Sequence, residues 1–267
     1  MRRTALAALC LAAVAAAGLT GCAGEGRANS GTSRDSAEQS PAEERKSSRK
    51  PKEEPFAGLT GGEIAERALK ATTGAPSLRM RGDVPDEETG GTLRIDMALD
   101  EQGDCAGTLG MDGEGEAELI KTGDTLYMKY DEAFLRAQSE GEPRADVDAA
   151  VALLAGKWTK TSAKGADAEE IAGFCDLDLV LGDLEDGRSE ATRGKTTTLD
   201  GTPAITLEER EGGDRFTVYV ATRGEPYLLR IDSASAADPG SLSFTDYDEP
   251  VPARKPAGDV LDLDALG

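Results

Sequence analysis

Leu93-Arg94-Ile95-Asp96-Met97-Ala98-Leu99-Asp100 alternates Leu, Ile, Met and Leu with Arg, Asp, Ala and Asp. Successive side chains of a strand point to opposite faces, so this period of two describes a strand dry on one side and wet on the other. Downstream, Gln102-Gly103-Asp104 turns the chain, and Cys105, Gly107, Leu109 and Met111 alternate again. Gly113 and Gly115 bracket the next turn. Residues 116–121 and 125–130 flank Gly123-Asp124 as a hairpin. The result is an antiparallel meander over about residues 92–130. Upstream, Leu78 to Val84 suits a first strand and Pro85 to Gly91 a turn. Thr60-Gly61-Gly62-Glu63 reads as a capping box opening a helix that carries Ile64, Ala65, Ala68 and Leu69 and stops at Gly74.

Beyond the meander the period changes. Asp131 caps a helix with Phe134 and Leu135. Val147, Val151 and Leu154 share one face of a second helix, closed by Gly156. A third helical stretch spans residues 168–184, broken near Gly173. Strands return with residues 196–199 and 203–209 around Asp200-Gly201. Gly212-Gly213 leads into Phe216, Val218 and Val220; Gly224-Glu225-Pro226 leads into 227–231; Leu242, Phe244 and Tyr247 close the series. Val260, Leu261, Leu263 and Leu266 form an apolar tail suited to docking. Short turns between neighbours make the sheet antiparallel, and its apolar face needs a cover, for which the central helices are the available elements. The expected class is α+β: one large curved antiparallel sheet covered by central helices.

The N-terminus has another logic. Met1-Arg2-Arg3 is followed by an apolar run to Gly18 and by Leu19-Thr20-Gly21-Cys22, which resembles a bacterial lipobox. The run is shorter than the roughly 20 residues needed to span hydrocarbon, so it reads as a cleaved leader rather than a membrane helix. Arg2-Arg3 leaves the general and twin-arginine export routes both open. The expected organisation is a signal peptide over 1–21, acylated Cys22 with a disordered tether over 22–55, and an exposed domain over 56–267. The tether is Gly, Ser, Pro and charged residues, without the apolar content to offset its ordering entropy. As a coil it reaches about 30 Å. Ser47-Ser48-Arg49-Lys50 in that tether matches an S-x-x-K motif, but a disordered segment cannot hold its serine against its lysine.

Net charge is −21, and the leader holds two arginines and no acid, so the chain without it stands near −23. That excludes nucleic acid, whose binding rests on cationic contacts with phosphate, and disfavours lying flat on anionic headgroups. The chain has no histidine. Ser-His-Asp and Cys-His catalysis, His-ligated zinc and histidine switching are therefore excluded. Acid pairs such as Asp176/Asp178 are expected by chance among 51 Asp and Glu. The chain reads as no enzyme, with no cofactor and no metal. Cys10 leaves with the leader and Cys22 is the anchor, so Cys105 and Cys175 remain, and in an exported domain they should form a disulfide.

Several local stretches resemble a known family: Gly103-Asp104-Cys105-Ala106-Gly107-Thr108-Leu109, Ala117-Glu118-Leu119-Ile120, Gly123-Asp124-Thr125-Leu126-Tyr127-Met128-Lys129, Gly156-Lys157-Trp158-Thr159-Lys160 and Phe174-Cys175-Asp176-Leu177. With the lipobox and the order of elements, the chain is similar to the LolA-like lipoproteins, in particular the LppX/LprG group of actinomycete envelope lipoproteins. The resemblance covers about Thr60 to Tyr247. It implies a half-barrel lidded by helices, on the outer face of the cell membrane, with acyl chains held between sheet and helices in some members. On that reading Leu93, Ile95, Met97, Leu99, Leu109 and Leu126 line a cavity, and Phe134, Val147, Val151 and Leu154 close it. The partners would then be the membrane, through Cys22, and a lipid, with the chain a monomer. The competing reading is a ligand-free envelope module that binds a protein or a wall component. In that reading the same side chains simply fill a core.

Overall fold

A computed structural model describes residues 54–86, 91–164, 166–186, 191–211, 214–234 and 239–265. The leader, Cys22, the tether to residue 53, the Gly212-Gly213 turn and Leu266 lie outside the described residues. The first element is helix α1, Gly61–Thr73. The capping box is present: Thr60 Oγ1 accepts from the Glu63 amide at 3.2 Å, and Glu63 Oε2 accepts from the Thr60 amide at 2.8 Å. Gly74 ends the helix with its N–H on the Lys70 carbonyl.

The Thr60 amide, followed by its hydroxyl, holds the Glu63 carboxyl below its ordinary value. A depressed folded-state pKa means that this contribution is complete above the unfolded-state pKa and is lost as pH falls through the folded one. Thr60→Ala should cost about 1 kcal/mol near neutrality. It should also flatten the acid limb of stability against pH, which urea melts over about pH 3–6 would show.

The strands follow as β1 (Ser77–Asp86), β2 (Gly91–Asp100), β3 (Cys105–Met111), β4 (Gly115–Thr122) and β5 (Thr125–Tyr130), the meander that the alternation predicts. Then come α2 (Glu132–Gln138), α3 (Arg144–Leu154), β6 (Trp158–Ser162), α4 (Ala166–Gly173) and α5 (Leu177–Asp186). The chain ends with β7 (Thr192–Leu199), β8 (Thr202–Glu211), β9 (Asp214–Ala221), β10 (Leu228–Ala234), β11 (Pro239–Thr245) and β12 (Val260–Asp262). All twelve strands belong to one open sheet, ordered β12-β6-β5-β4-β3-β2-β1-β11-β10-β9-β8-β7. The two meanders join where β1 pairs with β11.

Three features depart from the sequence-based expectation. The sheet is mixed, because β12 runs parallel to β6: the segment after β11 crosses back to the far edge and arrives in the parallel sense. β6 itself, Trp-Thr-Lys-Thr-Ser, carries no apolar alternation and is placed by pairing with β5, with the Thr159 hydroxyl on the Met128 carbonyl at 3.0 Å. Finally, the central helices are not the whole cover. α1 packs on β7 to β10 and against α5, burying Ile64, Ala68 and Leu69.

The topology explains why α4 and α5 cover the sheet. The chain leaves the sheet at β6, beside one edge, and re-enters at β7, the opposite edge. The connection must therefore cross the inner face, and Ala168, Leu177 and Leu181 are buried there in one cluster with the sheet. A disulfide between Cys105 of β3 and Cys175 of the α4–α5 turn pins the crossing at mid-sheet, with a Cα–Cα distance of 5.3 Å.

At the other end, Thr72 of α1 accepts the Leu228 amide at 2.9 Å, and the Tyr247 hydroxyl donates to the Leu228 carbonyl at 2.6 Å. These bonds satisfy the backbone at a bulge in β10, where an unpaired buried group would cost about 1–3 kcal/mol. The outer face carries most of the charged side chains, although Ala98, Ala106 and Tyr127 are buried on it. Arg79 and Arg81 both donate to Asp96, and Lys129 meets Glu118 at 2.6 Å.

Candidate functional site

The inner-face side chains fall into rows that cross the strands. The deepest row is Leu78, Leu99, Cys105, Lys121 and Leu126, where each residue is the register partner of the next. The second row runs Phe244, Met80, Met97, Gly107, Leu119, Met128 and Thr159. Apart from Lys121 and Gly107, both rows are buried under the helices. The third row runs Ile231, Leu242, Gly82, Ile95, Leu109, Ala117 and Tyr130. Over this stretch burial drops, every member except Ala117 being only half-buried, whereas the continuation of the row into Val218 and Leu207 is buried. A fourth row, Val84, Leu93 and Met111, is half-buried throughout. The helices thus cover two rows and leave two apolar rows partly open.

Local sequence sets the edges of this strip. At the β5 end, Asp131 accepts from the Phe134 amide at 2.6 Å and from the Glu116 amide at 3.0 Å. It thereby caps α2 and ties it to β4. Gly115 permits the approach, since a Cβ there would lie 2.3 Å from both the Asp131 carboxylate and the Phe134 nitrogen. Phe134 is set on Tyr130, the ring centroids 5.5 Å apart. Burial pushes the Tyr130 phenol up, so the ring stays neutral at this end of the strip. Ile171 of α4 and Val180 of α5, both half-buried, pack on the same core from the helix side. Within the rows an added Cβ would lie 1.9 Å from the Ser241 carbonyl oxygen at Gly82, and 2.0 Å from the Asp96 carbonyl oxygen at Gly107. These two positions admit no side chain.

The ten expected cavity residues divide accordingly. Met97, Leu99 and Leu126 are at most 1% exposed and fill the core. Leu93, Ile95 and Leu109 lie in the open rows, with Phe134 at their end. Val147, Val151 and Leu154 are half-buried on α3, which rests on α2, and are not among the apolar groups packed on the core. The structure adds Val84, Met111, Tyr130, Ile231 and Leu242. The last two already showed a strand pattern, but only the β1–β11 pairing brings them beside Ile95. Hollows elsewhere are lined by other residues: one of about 1160 Å³ beside β7 at Arg193 and Lys195, and one of about 550 Å³ beside Trp158 and Leu153. Among the described residues no three Cys, Asp or Glu are placed to hold a metal ion, and no helix is long and apolar enough to cross a membrane.

One open sheet, crossed on its apolar inner face by helices that leave part of that face uncovered, is an α+β architecture with a counterpart among solved structures. The particular likeness is to LprF of Mycobacterium bovis. The match has a TM-score of 0.51 and 17% identity, and covers 74% of this chain and 97% of LprF. At that identity the likeness is one of fold. The lipoprotein LppX of Mycobacterium tuberculosis matches with a TM-score of 0.46 and 15% identity, over 72% of this chain and 97% of LppX. No family model matches the sequence, and no curated protein matches it.

Proposed function

We propose that the chain is a lipoprotein anchored through Cys22 to the outer face of the cell membrane, and that its domain holds an acyl chain along the two open rows. The observation that carries this reading is the strip Val84, Leu93, Met111, Ile95, Leu109, Ile231 and Leu242, apolar throughout and half-buried. Burying such a side chain fully is worth about 1.5–3 kcal/mol, so leaving seven of them partly wet is a standing cost that an apolar ligand would remove. An acyl chain gains about 0.8 kcal/mol per buried methylene. Association itself costs about 4 kcal/mol or more, so a chain of roughly 15 buried methylenes, about 12 kcal/mol gross, is needed for micromolar binding. The leader and Leu19-Thr20-Gly21-Cys22 support the anchor, and Cys22 acylation places the domain within tether reach of lipid.

Native mass spectra of the full chain, before and after organic extraction, test both parts. Added mass that survives extraction and disappears in Cys22→Ala reports the anchor. Added acyl mass that is lost on extraction reports the ligand. Leu93→Glu sets a carboxylate at the open end of the strip and should lower acyl occupancy at least tenfold without lowering Tm. A full chain that stays free of extractable ligand after incubation with phospholipid and glycolipid would overturn the carrier reading. The ligand-free interaction module would then stand in its place.

A further inference from the structure

Away from the apolar strip, the β2–β3 turn and the start of α5 enclose a hollow of about 380 Å³. Its wall includes Leu179, 64% exposed, and Phe174 stands 42% exposed on the adjoining turn. Among the described residues the exposed large apolar side chains are these two and Leu153. Exposed apolar groups scattered singly need no explanation, but Phe174 on the turn and Leu179 in the first turn of α5, five residues apart beside a hollow, do. The rim is acidic, with Glu101, Glu169, Asp176 and Asp178. The cation at this hollow, Lys121, is engaged by the Gly103 carbonyl at 2.6 Å. Asp176 caps α5 by accepting from the amides of Asp178 and Leu179. That leaves Glu169 and Asp178 to meet an incoming cation, with Glu101 beside them accepting from the Gln102 side-chain amide at 2.8 Å. Cys175, next to Phe174, is bonded to the sheet through Cys105, so the turn is held in place before any partner arrives. A preorganised apolar pair forfeits little conformational entropy on binding.

We infer that the α4–α5 turn and the first turn of α5 form a docking site for a cationic amphipathic segment of another protein. One apolar side chain of that segment would sit on Phe174 and Leu179, and its lysines or arginines would meet Glu169 and Asp178. Charge selects this occupant. An anionic lipid surface and a second copy of this chain, itself at −21, both bring like charge to an acidic rim. The site is separate from the acyl strip and stands whether or not a lipid is bound there.

The test is fluorescence anisotropy of the full chain with a labelled 14-residue Leu/Lys amphipathic peptide (about four helical turns) in about 0.15 M salt. A control peptide has every Leu replaced by Ser and the same charge. Phe174→Ser with Leu179→Ser leaves the net charge unchanged and, both sites being exposed, should leave Tm unchanged. It should weaken the Leu/Lys peptide at least tenfold. Glu169→Gln with Asp178→Asn should also weaken it and flatten its salt dependence, and the Ser control should bind no better than that variant. Equal peptide binding by the Phe174/Leu179 variant and the wild type would mean diffuse charge attraction and overturn the inference. Binding to phosphatidylglycerol vesicles that Phe174→Ser abolishes would overturn it in favour of a lipid surface.

Discussion

Replacing Cys105 and Cys175 together by serine should lower the stability of the domain by about 4 kcal/mol, the chain-entropy value for the loop they close. For a domain of this size that is a fall in Tm of about 10 °C. The bond closes more than a loop. It is the covalent link between the sheet and the segment that crosses it from one edge to the other, and that segment covers the two deep rows. Reduction should therefore raise amide exchange in α4 and α5 before it does so in β2 and β3, and should expose the core around Leu99 and Leu126. A loss below about 1 kcal/mol would show that burial of Leu177 and Leu181 alone secures the crossing.

Phe244→Ala should cost about 3–5 kcal/mol. Phe244 is 1% exposed, stands opposite Met80 and lies on β11, the strand that joins the two meanders. The cavity would open at the joint of the sheet, where neighbouring strands cannot close in without losing register. Leu179→Ala, a similar truncation at an exposed position, should stay within about 0.5 kcal/mol of wild type. Chemical denaturation of both variants is the check, and near-equal costs would mean that the joint is not a cooperative part of the core.

Much of this fold could be read from local pattern. The strand at 93–100 announces itself because one of its faces meets water and the other does not, and Thr60 and Glu63 mark the start of α1 because unsatisfied amides need those acceptors. What could not be read locally was set by long-range pairing. β6 is polar after Trp158 and is a strand because β5 and β12 offer it partners. The adjacency of β1 and β11 leaves no mark in either sequence, so Leu242 and Ile231 could not be placed beside Ile95. The same alternation that identified Leu93, Ile95, Met97 and Leu99 as one face could not say how far along that face the helices reach. Leu99 and Met97 proved to be core, and Ile95 and Leu93 open. Burial along a single strand changes with what lies above it, and that is decided by where the chain re-enters the sheet.

The β1–β11 joint also governs the order of assembly. Residues 79–83 pair with 241–245, whereas the other neighbours within each meander are close in sequence. Closing so long a loop is slow compared with forming hairpins, so each meander should be able to zip on its own while the joint waits for nearly the whole chain. Until then β1 is a free edge, a template on which another chain could pair. Both bridged cysteines precede residue 176, so thiol oxidation can run ahead of that closure and fold the helices over a sheet that is still only half built. A chain that stalls before β11 would thus emerge oxidised, lidded and sticky.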